Sequence, residues 1–148
     1  MSGQEKVDYN DLVFDDYVCC TRSWIPFTGI AFEKTTDYYM EKTYLSGMAH
    51  GSHRIWERGN LIKEETYHFN SLYGWSRRWD YSGQLQRESL DALGFTLILH
   101  EYDSVGRLTR HYAIMSNAEE IVRFRMAWNS QREEMKAPPH PDIARFLE

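Results

Sequence analysis

This chain of 148 residues has two cysteines, four prolines and no apolar run long enough for a signal-peptide core or a membrane span. Each shortage excludes something. Cys19 and Cys20 are neighbours, and a disulfide between adjacent residues is geometrically strained. A disulfide framework is therefore ruled out, and two buried or half-buried thiols in a reducing compartment are expected. Without a long apolar run, the expectation is a soluble, cytoplasmic protein. Positive charge is short as well: 17 Lys and Arg stand against 22 Asp and Glu, for a net charge of −5. The deficit lies toward the N-terminus, where Lys6, Arg22, Lys34 and Lys42 face Glu5, Asp8, Asp11, Asp15, Asp16, Glu33, Asp37 and Glu41. That distribution argues against general nucleic-acid binding and suits a basic protein partner.

Catalytic signatures are missing too. The chain has no Gly-x-Ser-x-Gly elbow, no phosphate-cradling glycine loop and no dinucleotide fingerprint, and no cofactor is expected. His50, His53 and His68 offer imidazoles, but no glutamate or cysteine follows at ligand spacing, so polar turn residues are the simpler reading. Glu64 and Glu65 are adjacent and point to opposite faces of a strand, which prevents them from acting as a paired acid and base.

What the chain has is aromatic residues, 15% of the total, which suit strands and contact surfaces. It also has a repeat. From Gly51, Gly74 and Phe95 three copies of one unit run end to end, each with an aromatic (Trp56, Trp79, Tyr102), a glycine (Gly59, Gly83, Gly106) and a leucine two positions on (Leu61, Leu85, Leu108). Equivalent aromatics are 23 residues apart in both intervals, a period that signals a repeat architecture. The glycine supplies the positive φ of a tight turn, so each copy reads as strand, turn, strand. Looser turns at 46–51, 70–74 and 92–94 separate the copies. Trp56, Trp79 and Tyr102 are expected in the sheet's own core.

The predicted architecture is mainly β: one domain built as a curved antiparallel sheet of consecutive hairpins, with a short C-terminal helix. Residues 1–23 form an acidic lead-in, 24–115 the hairpins, and 116–148 a closing strand and tail. The segment 29–50 is a degenerate copy that precedes the three others. Around Ser116-Asn117-Ala118-Glu119 two readings compete. A helix N-cap with Glu119 as its capping acid is one. The other is a strand in which Val122, Phe124, Met126 and Trp128 alternate with polar positions, and the period of two favours it. Beyond Pro138-Pro139-His140-Pro141, Asp142–Glu148 forms the short helix, with Ile143, Phe146 and Leu147 on one side.

The repeat residues Gly-x-x-x-x-Trp, Gly-x-Leu and a glutamate three further on (Glu64, Glu88) resemble the bacterial variant of the MORN repeat. The leader Pro26-Phe27-Thr28-Gly29-Ile30-Ala31-Phe32 is similar to the segment that opens such arrays in antitoxin or immunity components of polymorphic toxin systems. The third copy departs from the pattern, lacking its leading glycine and carrying His111 in the glutamate's place. The resemblance implies a protein that binds a cognate toxin and blocks its active site without chemistry of its own. Candidate contact residues are Asp11, Asp15, Asp16 and Tyr17, with Glu57, Asp80, Tyr81 and Asp103 at the hairpin tips. A toxin with a basic, nucleic-acid-handling cleft would be drawn to them by electrostatic steering. The alternatives are a non-catalytic scaffold of MORN type, which would need a basic or apolar exposed stripe, and a small hydrolase, which would need a pocket of converging titratable groups.

Overall fold

Gly59, Gly83 and Gly106 all adopt left-handed backbone, with φ of 79°, 85° and 85°, and each sits in the bend between two antiparallel partners. The last two bends are the same turn. The Asp80 carboxylate accepts from the amides of Ser82 and Gln84, and the Asp103 carboxylate from those of Val105 and Arg107. The first copy closes more tightly, with only Arg58 and Gly59, both left-handed, between its strands, where the other two have 80–84 and 103–107. The repeat inferred from sequence thus corresponds to a repeat of hairpins.

The computed structural model describes residues 6–148. Its strands are β1 (Lys6–Asp8), β2 (Leu12–Asp15), β3 (Val18–Thr21), β4 (Gly29–Lys34), β5 (Tyr38–Leu45), β6 (Met48–Glu57), β7 (Asn60–His68), β8 (Ser71–Leu72), β9 (Gly74–Trp79), β10 (Leu85–Ala92), β11 (Phe95–Tyr102) and β12 (Leu108–Ala113). Ten of them form one open sheet in the order β1-β4-β5-β6-β7-β9-β10-β11-β12, with β8 paired to β7, while β2 and β3 form a separate hairpin. Neighbours are antiparallel except β1, which runs parallel to β4. The structure is therefore mainly β, a sheet of consecutive antiparallel strands that does not close.

The register lines up one row of side chains across seven strands: Glu41, Arg54, Glu64, Arg77, Glu88, His100 and His111. Charges alternate along it, with Arg54 2.9 Å from Glu64, Arg77 3.2 Å from Glu88, and His100 3.1 Å from Glu88. Lys6 adds a pair to Glu41 at 2.8 Å. Directly opposed unlike charges each favour this register over its neighbours by a few tenths of a kcal/mol or more.

Two cores form, on opposite faces. Ala31 and Tyr44 lie with Leu12, Cys19, Phe27 and Ala49 in one cluster, roofed by the β2–β3 hairpin. Following the pairs Ala31–Lys42, Lys42–His53 and His53–Glu65 keeps to that face, whereas Glu64, Arg77, Glu88 and then Leu90 keep to the other. Leu90 belongs to the second cluster, with Leu97, Ile98, Ile114, Ile121, Phe124, Ile143 and Phe146. Trp56, Trp79 and Tyr102 belong to neither cluster and are half-buried. They are not the core residues the repeat suggested. Trp56 instead stacks on Tyr39 at 5.6 Å, on the sheet surface.

The expected closing strand is a helix. Residues Ala118–Asn129 form α1, and the capping reading is right in kind but one residue early. Asn117 is the N-cap, its side chain accepts from the Glu120 amide at 3.2 Å, and Glu119 and Glu120 fill the first turn. Ile121 and Phe124 are buried and Trp128 packs beside them, a helical spacing, while Val122 and Met126 are 53% and 64% exposed. The alternation of apolar residues was coincidental; burial of Ile121 and Phe124 decides the structure, with Asn117 capping it. The short C-terminal helix is present as α2 (Pro141–Ala144), capped by His140 with Pro141 in its first turn. The tail is pinned by Trp75, whose indole donates to Asp142 at 2.9 Å, and by Arg125, which donates to the Phe146 carbonyl at 2.9 Å.

Candidate interaction surface

The β2–β3 hairpin stands on the sheet through backbone hydrogen bonds. The Cys19 amide donates to Gly47 at 2.7 Å, the Phe27 amide to Cys19 at 2.9 Å, and the Asn70 side chain to Tyr17 at 3.1 Å. Gly47 permits this approach, since a Cβ there would lie 2.5 Å from the Val18 side chain and 2.9 Å from the Cys19 carbonyl. Cys19 and Cys20 are buried free thiols, as their adjacency suggested, and burial pushes the Cys19 thiol up to about 11. A protonated thiol is a poor nucleophile, so Cys19 acts as a packing group.

The outer side of this hairpin is apolar and acidic. Tyr17 is 86% exposed, Trp24 63%, Ile25 61% and Phe14 45%, and Asp11, Asp15 and Asp16 are exposed beside them. Phe14 and Tyr17 lie at the turn end of the hairpin, and Trp24 and Ile25 lie beyond Thr21 at its other end, the length of a four-residue strand or about 13 Å away. Arg22 pairs only loosely with Asp11, at 3.9 Å, and donates to the Asn10 carbonyl at 3.0 Å. Trp24 has φ of 60°, an unfavourable backbone for a bulky residue. It is held there by hydrogen bonds from its own amide to Thr21 at 2.9 Å and from Thr21 to Ile25 at 2.8 Å.

The sequence candidates separate into two groups. Asp11, Asp15, Asp16 and Tyr17 share the hairpin. Glu57, Asp80, Tyr81 and Asp103 lie at the other end of the sheet, a distance of roughly 30 Å along the ten residues of β6. Within the second group the Tyr81 hydroxyl donates to Glu57 at 2.6 Å. The Asp80 and Asp103 carboxylates are occupied in their turns, and the bonds from the Ser82 hydroxyl and nearby amides hold Asp80 below the usual carboxylate range. Those two are turn-forming groups. Phe14, Trp24 and Ile25 are exposed apolar residues that sequence reasoning did not single out. Phe14 reads as an apolar anchor, and nothing in a single sequence marks Trp24 as lying outside the core.

Of the histidines considered for a metal, His50 and His68 lie side by side, their rings 5.0 Å apart, and each ring is engaged by the backbone. His53 bonds Glu65 at 3.2 Å, His68 bonds the Met135 carbonyl at 2.8 Å, and His50 accepts from the Phe69 amide at 3.2 Å. Among the described residues no three potential ligands gather, and no helix is long and apolar enough to cross a membrane.

On the hairpin's side of the sheet, Lys63, Arg78 and Arg87 are direct cross-strand partners. Glu65 answers Lys63 at 3.0 Å and Glu101 answers Arg87 at 3.8 Å, but Arg78 has no carboxylate partner among the described residues. Like charges directly opposed are destabilising. Arg78→Glu is therefore expected to stabilise the fold by about 0.5–1 kcal/mol. Thermal unfolding of the variant against wild type checks this, and a lowered midpoint contradicts it.

Comparison with known protein families and with curated proteins gives no match for this chain.

Proposed function

We propose that this chain is an immunity or antitoxin protein that binds a cognate bacterial toxin domain in the cytoplasm and covers its active site, without chemistry of its own. The observation that carries this reading is the exposed Trp24, held in a left-handed conformation by its neighbours and followed by the exposed Ile25, on a hairpin whose turn end also exposes Tyr17 and Phe14. Trp and Tyr anchors surrounded by apolar contacts carry most of the energy of protein interfaces, and a pre-ordered hairpin loses little entropy on binding. Asp11, Asp15 and Asp16 give the patch a negative rim, which suits a toxin with a basic cleft. On the same reading the hairpins are repeat units of MORN type, supported by the three glycine bends and the matching Asp80 and Asp103 turns.

The test is co-expression with the toxin encoded beside this chain's gene. Wild type is expected to restore growth and to co-elute with the toxin on gel filtration. Trp24→Ala is expected to weaken the complex by about 30-fold or more, equivalent to about 2 kcal/mol. Reversing Asp15 and Asp16 to lysine should slow association and flatten its salt dependence. No rescue and no complex with wild type would end the proposal. Full affinity in Trp24→Ala would move the interface away from the hairpin.

A further inference from the structure

A second concave site lies on the opposite face, between the free-edge strand β12, its neighbour β11 and the C-terminal helix. Ile98, Ala113, Met115 and Phe146 give it apolar walls, and His100, His111 and Arg145 line it as well. Its volume of about 410 Å³ is that of a small-molecule site, which typically occupies roughly 300–1,000 Å³.

The polar groups here share one character: all are nitrogen donors or potential cations, and no lining residue is acidic. Arg145 lies over the Phe146 ring, 4.9 Å from its centroid, and among the described residues its guanidinium meets no carboxylate. The His100 and His111 rings stack 5.1 Å apart. His100 Nδ1 sits 3.1 Å from Glu88, and since a carboxylate only accepts, that nitrogen carries the hydrogen. The hydrogen of a neutral His100 is thereby spent on Glu88 and its Nε2 is an acceptor, whereas His111 makes no hydrogen bond among the described residues. Glu88 itself is taken up by Arg77 and His100. Two unanswered donors above apolar walls, the Arg145 guanidinium and the His111 ring, which can carry its hydrogen on either nitrogen, are complementary to an anion with an apolar body. A planar guanidinium matches a carboxylate in particular.

We propose that this cleft binds an apolar monocarboxylate, with Arg145 and the imidazole of His111 receiving the carboxylate and Ile98, Met115 and Phe146 covering the apolar chain. This site is independent of the hairpin patch and of the toxin-binding reading.

The experiment uses the full chain and anilinonaphthalene sulfonate, an apolar anion whose fluorescence rises on burial. Saturable binding of one equivalent is expected, displaced by decanoate at concentrations at least tenfold lower than those needed of decanol. Arg145→Gln and His111→Gln, both exposed positions, should each weaken decanoate about tenfold with unchanged circular dichroism and melting temperature. Trp24→Ala should leave probe binding unaltered, which separates this cleft from the exposed hairpin. Equal displacement by decanol, non-saturable fluorescence, or full decanoate affinity in the Arg145→Gln/His111→Gln double variant would overturn the assignment.

Discussion

Phe124→Ala is expected to destabilise the protein by about 3–5 kcal/mol, the range for a fully buried aromatic cut back to alanine. Phe124 has no exposed surface. It meets Phe95 edge-on at 5.7 Å and Trp128 at 6.3 Å, so its ring fixes α1 to the strands beneath. Natural domains are stable by only about 5–15 kcal/mol, and the loss should appear as a drop of roughly 10 °C in melting temperature. The neighbours on the same helix supply the control. Val122→Ala and Met126→Ala remove exposed side chains and are expected to stay within about 0.5 kcal/mol of wild type. A strand over the same residues would put Val122, Phe124 and Met126 on one face and make the three losses comparable. Chemical denaturation of the three variants therefore checks the helix as well as the core.

The second large effect is expected from acid. Burial, the strongest single influence on Glu65, acts to raise its pKa. Donors from His53, Lys63 and Tyr67, together with the Lys63 charge, outweigh burial and bring the carboxyl down to about 2. An unfolded glutamate takes up its proton near 4.3. The folded state is thus favoured by about 3 kcal/mol above pH 4.3, and this contribution drains away as the pH falls toward 2. Glu65→Gln leaves the shape and removes the charge. The variant should be less stable than wild type at pH 7 by a similar amount, and the gap should close between about pH 4.5 and 2. Melting curves measured across that range test this. Parallel curves at every pH would mean that the carboxylate contributes no linked stability.

Much of the sheet was legible in the residues because its punctuation is local. Gly59, Gly83 and Gly106 occupy bends that need left-handed backbone, and the looser turns fall at Ser46-Gly47, Phe69-Asn70 and Leu93-Gly94. What escaped was set by partners distant in sequence. The segment around Phe124 carries an alternating pattern, and it is a helix because Ile121 and Phe124 pack in one cluster with Leu90, Leu97 and Ile98, with Asn117 capping its first turn. The two-sided core was equally out of reach, since which face Leu90 or Ala31 occupies follows from register across several strands. At the candidate surface the acidic hairpin was visible as composition. The exposed tryptophan beside it was not, because a large aromatic in an unaligned sequence reads as interior. Arg77 and Arg78 point to opposite faces, as strand geometry requires, but only the assembled register sets Arg78 between Lys63 and Arg87.

The placement of the two cores has a mechanical consequence. Strands β4 to β7 are backed by one cluster and β9 to β12 by the other. The strand pairing that joins them is limited to Lys63–Arg78 and Glu64–Arg77, after β7 has spent its last residues on β8, with the Tyr81–Glu57 and His68–Met135 hydrogen bonds beside it. That narrow junction makes the molecule a bipartite unit, able to part along a seam before either side melts. Amide exchange should resolve two blocks with different opening free energies. Cutting the chain within 69–73 should give two pieces that reassemble when mixed.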